Sequence, residues 1–281
     1  MTSRIHNPEK EKQAQGRPER AGESFMRAKQ APTEPARILD SAWALIRQRK
    51  FSDAETLVSE LIRENPRDMD ARAALIQLHT KSGHFSLAEA AFEDAQREGL
   101  ADARLCTLII RAYGRARDME NTLEIFDYAT DNGLLDPKLV SAAIEACNLC
   151  DAIQDAEDIL AVARSRDAVD AFVYTAMISF HDQFAEPDRA YSLYEEARGK
   201  VKPDKHLYTA AIGACGRGGM VAQARQIFDE AVAAGQADSL TYTSMISTYR
   251  RRGKNLEARA LFERAVREGI ADSVMSSMMR G

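Results

Sequence analysis

No run of about 18 apolar residues, the length a bilayer crossing needs, occurs anywhere in the chain. No strand-like alternation of apolar and polar residues competes with helical spacing either. Cysteine is sparse. Four in 281 residues, without a framework spacing, point to free thiols in a reducing, intracellular setting, with cytoplasm and organelle both open. Cys147-x-x-Cys150 has the spacing of two zinc ligands but no second Cys or His pair follows, so no metal is expected and core packing is. The amino terminus mixes Arg4, Lys10, Lys12, Arg17 and Arg20 with Glu9, Glu11, Glu19 and Glu23 and lacks an apolar core, unlike a secretory signal. Gly216-Arg217-Gly218-Gly219 does not follow a strand, which excludes a phosphate loop. His79, His84 and His181 have no carboxylate or nucleophile at a partnering spacing and are read as packing or surface residues. No catalytic activity, cofactor or small-molecule substrate is therefore expected. The net charge of −5, taken alone, counts against nucleic acid as a partner.

What the chain does have is a period. Tyr174-Thr175-Ala176-Met177-Ile178 recurs as Tyr208-Thr209-Ala210-Ala211-Ile212 and again as Tyr242-Thr243-Ser244-Met245-Ile246, 34 residues apart each time. A fixed period in this range marks a stacked-repeat architecture. The register runs without a slip through blocks 35–68, 69–102, 103–136, 137–170, 171–204, 205–238 and 239–272. The eighth place is apolar throughout (Ala42, then Ile76 to Ile246). The twentieth and twenty-seventh are small in nearly every block, and the twenty-fourth is bulky: Val58, Phe92, Phe126, Leu160, Tyr194, Phe228, Phe262. Spacings of 3, 4 and 7 place the later columns on one helical stripe. Gly83, Gly219 and Gly253 mark turns between helices, and Gly99, Gly133, Gly235 and Gly269 mark the ends of second helices. The expected fold is all-α: a solenoid superhelix of seven helix-turn-helix repeats of 34 residues, first helices inside and second helices outside.

Residues 1–34 carry many charges, Gln and Pro and few large apolar side chains, and are expected to form a disordered arm with at most a short helix around Phe25 to Lys29. Residues 273–281, with Met275, Met278 and Met279, form a tail that either starts a capping helix or frays.

Two further columns bear on function. Every block ends in aspartate: Asp68, Asp102, Asp136, Asp170, Asp204, Asp238 and Asp272. Capping the following helix accounts for this column at ~1 kcal/mol per site. The fifth place changes from apolar (Leu39, Ala73) to hydroxyl (Thr107, Ser141, Thr175, Thr209, Thr243), which capping does not require. Charge is also segregated. Places 1–16 carry 17 Lys+Arg against 7 Asp+Glu, and places 17–30 carry 11 against 23, so the acidity lies on the second helices.

The string Lys205-His206-Leu207-Tyr208-Thr209-Ala210-Ala211-Ile212, followed by Gly219, Ala224, Phe228 and Gly235, resembles the pentatricopeptide repeat, as does the closing Val201-Lys202-Pro203-Asp204. The resemblance is good over 103–272, although most blocks are one residue shorter than the family's usual repeat. Block one, with Asn65-Pro66 closing its second helix, resembles the sister tetratricopeptide repeat, and block two is intermediate. The resemblance implies binding of single-stranded RNA, one base per repeat, read by the fifth and last residues. The readers would be Thr107/Asp136, Ser141/Asp170, Thr175/Asp204, Thr209/Asp238 and Thr243/Asp272. In the family this pairing goes with guanine, so a run of about five guanines is implied. The second place (Arg104, Phe172, His206, Leu240) would stack on bases, with Lys138 a poor fit. The thirteenth (Arg47, Lys81, Arg115, Arg217, Arg251) would lie near the RNA backbone, interrupted by Leu149 and Gln183. The alternative is a tetratricopeptide-like scaffold holding a protein or peptide in the concave groove, with residues 35–102 the place for a protein partner.

Overall fold

The computed structural model describes residues 34–279. The expected arm, including the helix around Phe25 to Lys29, lies outside the described residues apart from Glu34. Within them the fold is all-helical, an α-solenoid of paired helices. The first helices of the seven blocks are α1 (Glu34–Arg47), α3 (Met69–Ser82), α5 (Ala103–Ala116), α7 (Pro137–Cys150), α9 (Ala171–Gln183), α11 (Lys205–Gly218) and α13 (Ser239–Arg251). The second helices are α2 (Phe51–Glu64), α4 (Phe85–Arg97), α6 (Met119–Asp131), α8 (Ile153–Ser165), α10 (Pro187–Lys200), α12 (Val221–Ala233) and α14 (Asn255–Arg267). The tail forms a short helix, α15 (Ser273–Met278), whose Met275 is fully buried at the end of the stack. No helix among the described residues is long and apolar enough to cross a membrane.

Each first helix after α1 begins on the aspartate that closes the preceding block. In extended conformation, its Oδ1 accepts N–H groups of the first turn that have no helical partner. Second helices mostly lack such a cap, Asp118 of α6 being an exception, and are held by their buried stripe. Gly235 shows why glycine ends such helices: its φ of 66° is left-handed and costs a glycine little.

The repeating columns form the core. All seven residues of the eighth, twentieth and twenty-seventh places are buried, from Ala42, Ala54 and Leu61 to Ile246, Ala258 and Ala265. The twenty-fourth place is buried from Val58 to Phe228, and Phe262 is partly covered. The small twentieth and twenty-seventh residues let helices approach, and the bulky one a turn away fills the space between. Truncating one of these phenylalanines to alanine costs about 3–5 kcal/mol.

Each first helix touches the first helix of the next block, while successive second helices make no comparable contact. That asymmetry gathers the first helices into a continuous inner layer. It is tightest between α5 and α7, where a Cβ on Gly114 would stand 2.7 Å from Ala146 Cβ and 2.9 Å from its Cα. From Ala73 to Met275 the core is one cluster, whereas block one packs in separate small clusters around Val58 and Ile46. Two of the three tyrosines of the repeated string join helices within a block: buried Tyr174 donates to Glu196 at 2.9 Å and Tyr242 to Glu268.

Candidate functional site

The first helices carry the sequence-predicted residues on one face because places 2, 5, 9 and 13 recur every three or four residues. The last place joins them, since each closing aspartate sits where two first helices begin. In block three the two columns meet: Thr107 and Asp136 line one recess with Arg104, Leu108, Arg111, Lys138 and Phe172. The fifth- and last-place residues of block three and the second-place residues of three successive blocks thus share a single concavity. Thr175 lines the next recess along with Phe172, Ile144, Asn148 and Ser179.

All seven aspartates cap. Oδ1 receives the N–H of Leu105 at 2.8 Å in Asp102, of Leu139 at 2.8 Å in Asp136, of Phe172 and Val173 at 2.9 and 3.0 Å in Asp170, and of His206 and Leu207 at 3.0 and 2.9 Å in Asp204. Asp68, Asp238 and Asp272 follow the same pattern. Capping uses Oδ1 and does not itself occupy Oδ2, although at Asp238 Lys205 Nζ stands 3.5 Å from Oδ2. Burial works against the Asp238 carboxylate, but the N–H and hydroxyl of Thr241, with Lys205 Nζ 3.5 Å from Oδ2, hold its carboxyl below the usual range. The N–H of Met275 does the same for Asp272. Both are acceptors, not donors, at neutral pH.

The hydroxyl column is less uniform. Thr107, Thr175 and Thr243 donate to the carbonyl four residues back at 2.7, 2.8 and 2.7 Å, and Thr209 instead meets Thr241 Oγ1 at 3.1 Å. Thr175, Thr209 and Thr243 are half-buried, and Thr107 keeps 8% of its surface. Ser141 is fully buried and its Oγ donates to the Pro137 carbonyl at 2.7 Å, so it offers no surface to a base in this conformation. α7 is small-sided around it, with Ala142, Ala143 and Ala146 also buried, and it approaches α5 closely at Gly114 and Ala146.

At the second place Phe172 and Leu240 are 53% and 55% exposed, apolar surfaces left uncovered on the inner layer, and His206 is exposed. Arg104 is held by an ion pair to Asp70, the second-place residue of the block before. Of the thirteenth-place cations, Arg47, Arg115 and Arg251 are exposed with no ion pair to any described residue, and Lys81 lies 5.7 Å over the Trp43 ring. Arg217 is gripped through both Nε, at 2.6 Å, and Nη2 by Asp182, which neutralises it.

The pentatricopeptide repeat model matches residues 104–134, 206–235 and 240–270, and the tetratricopeptide repeat model matches 39–103. The chain is a pentatricopeptide repeat protein with tetratricopeptide-like first blocks. No curated protein matches its sequence. Among solved structures, the pentatricopeptide repeat protein PPR10 from maize superposes with a TM-score of 0.58 at 20% identity, covering 88% of this chain and 36% of that one. PPR10 in complex with an 18-nt psaJ RNA element gives 0.59 at 18% identity, covering 90% and 38%. The chain therefore spans little more than a third of these structures, and the likeness concerns the fold.

Two features of this pentatricopeptide repeat protein escaped the sequence reading. His181, taken as unpartnered, is 2% exposed and sits between Glu186 Oε2, 2.8 Å from Nδ1, and Glu157 Oε1, 3.1 Å from Nε2, while Arg189 holds Glu157 by two bonds of 2.7 Å. Lining up blocks reveals the signal. The eleventh place faces the twenty-first of the block before, as His79 faces Glu55 at 3.9 Å, Tyr113 donates to Glu89 at 2.9 Å, and Arg225 donates to the Tyr249 hydroxyl at 3.1 Å. These contacts join neighbouring blocks. Three of the four cysteines belong to the same interior, Cys150 being only partly buried: burial pushes the thiols of Cys106, Cys147 and Cys215 up to about 12, which leaves them unreactive at neutral pH.

Proposed function

We propose that this chain is a non-catalytic, sequence-selective binder of single-stranded RNA, holding the strand along the first-helix layer. The observation that carries the reading is the recess of block three, where the hydroxyl and carboxylate of a reading pair stand between side chains able to flank a base. Asp136, Asp170, Asp204, Asp238 and Asp272 would each present the oxygen not used in capping, which at Asp238 means displacing Lys205 from Oδ2. An ionised carboxylate only accepts, so it favours guanine and uracil, which offer imino N–H groups, over bases whose ring nitrogen accepts. The threonine partners Thr107, Thr175, Thr209 and Thr243 select guanine within that pair by resemblance to the family. Block four, with Ser141 buried, would read through Asp170 alone and discriminate least. Phe172, His206 and Leu240 would stack, and Arg115 and Arg251 would meet phosphates more strongly than Arg217. The overall charge of −5 is no obstacle, since the acidic excess lies on the second helices. A role in RNA processing or stability follows from binding without chemistry.

The second reading, a protein or peptide held by residues 35–102, is favoured by the tetratricopeptide match at 39–103 and by the apolar fifth places Leu39 and Ala73. Crosslinking in cells followed by sequencing of the attached RNA separates the two. Enriched, guanine-containing single-stranded segments are expected; no crosslinked RNA, together with a protein partner retained after RNase, would establish the second reading instead.

A further inference from the structure

Phe172, at the second place of block five, lines two recesses at once. It borders Thr107 and Asp136 of block three on one side and Thr175 of its own block on the other. Lys138, the second-place residue of block four, lines the block-three recess together with Phe172 and so does not divide it. Between the reading residues of blocks three and five the inner layer therefore has one partition where a regular stack has two. We propose that the strand carries one nucleotide across block four with its base turned out of the inner layer, unread, while the bases before and after it lie against opposite sides of Phe172. The proposal rests on the RNA-binding reading above and goes one step beyond it, since Asp170, which that reading leaves to block four, then caps α9 and meets no base.

The inner face of α7 offers a base no slot. Ser141 at the fifth place is fully buried and its Oγ is committed to the Pro137 carbonyl. Lys138 is exposed, but its flexible chain has no flat face to lay on a base. The polar groups of block four that do face the groove are Glu145 and Asn148, and both line the recess of Thr175, where they meet the base of block five. Glu145 also reaches the recess between α5 and α7, yet no second-, fifth- or last-place residue lines that one. A base with no surface to stack on gains nothing by leaving water. The nucleotide itself is still needed. Two helix spacings of about 8–10 Å each separate α5 from α9, too far for two consecutive nucleotides to serve both, so one must bridge. Phe172, more than half exposed, is free toward each recess to receive the bases on either side of that bridge.

Fluorescence anisotropy with the full chain tests this on five guanines set between adenosines, written as 7-deazaguanine so that the strands stay single. Each of the five positions is replaced in turn by a ribose without a base. Affinity should fall at four positions and stay unchanged at one, the second from one end. 2-Aminopurine at that position should remain as open to acrylamide quenching in the complex as in the free strand. Phe172→Ala should weaken binding of the intact strand roughly five- to a hundredfold, and in this variant removing the base on either side of the tolerant position should cost less than in the native chain. The proposal is overturned if both second-from-end positions lose affinity when their base is removed, if the 2-aminopurine is shielded from acrylamide, or if Phe172→Ala affects one neighbour alone or neither. Equal binding of guanine and adenine strands, or no binding, would instead remove the RNA reading itself.

Discussion

Asp204→Asn isolates one oxygen. Oδ1 of Asp204 accepts the N–H groups of His206 and Leu207, while Oδ2 takes no bond from any described residue. Asparagine caps helices as well as aspartate does, so the fold should lose only the charge–dipole part, about 0.3–1 kcal/mol. At the reading edge the change is larger, because an amide NH2 can turn toward the base where a charged acceptor stood. Guanine and uracil then present donor to donor, and losing a hydrogen bond to a charged group costs about 1.5–3 kcal/mol, or roughly ten- to a hundredfold in Kd. Adenine or cytosine at the same position, whose ring nitrogens accept, should lose little or gain. Asp204→Ala removes cap and reader together and should lower stability by ~1 kcal/mol besides. The assay is anisotropy at one salt concentration, with each base of the core varied in turn and thermal melts alongside. If Asp204→Asn weakens every strand equally, or leaves the preference unchanged at all positions, the division of labour between the two oxygens is wrong.

Changing Thr175, Thr209 and Thr243 together to asparagine should move the preference at three positions from guanine toward uracil, as read by the same strands; an unchanged preference would show that the hydroxyl column does not discriminate. Gly114→Ala places a methyl 2.9 Å from the Ala146 Cα, which is backbone and cannot turn aside, so α5 and α7 must part. A urea melt should show a loss of about 1–3 kcal/mol, and an unmoved midpoint would contradict the tight inner layer. Burial, only partly offset by Glu55, holds the His79 imidazole below its ordinary 6.5. Protonation then favours the unfolded chain, so this contribution is complete above about pH 6.5 and is lost as the pH falls below it. Hydrogen-exchange protection factors, with the intrinsic pH dependence of amide exchange divided out, should fall in α1 to α3 below about pH 6.5 more than in α13, and His79→Gln should flatten the difference.

Regularity made the fold readable. A period of 34 puts Ile76, Ile110 and Ile144 at equivalent places, and residues at equivalent places in a stack meet equivalent neighbours, so the buried columns and the helix-ending glycines follow from counting. The capping of every first helix after α1 by aspartate was readable too, because a cap depends only on residues two or three positions away. Contacts between blocks were not. Arg217 meets Asp182 and Arg104 meets Asp70 across 35 and 34 residues of sequence, and whether such partners touch depends on the rotation from one block to the next, which no local pattern encodes. Ser141 marks the same limit at the site. It shares a column with Thr107, yet it is completely buried on a helix that packs closely on its neighbour at Gly114 and Ala146. His181 reads as a lone histidine along the chain; it meets Glu186 across the turn of its own block and becomes a partner of Glu157 only when blocks four and five are stacked.

The central claim is that aligned Thr/Asp pairs on the first-helix layer select bases in a single strand of RNA. Its most direct test is the affinity of the full chain, at one fixed salt concentration, for two short single strands that differ only in a central run of about five guanines or five adenines. Clear preference for the guanine strand is the predicted result; equal affinity for the two, or none for either, contradicts the account.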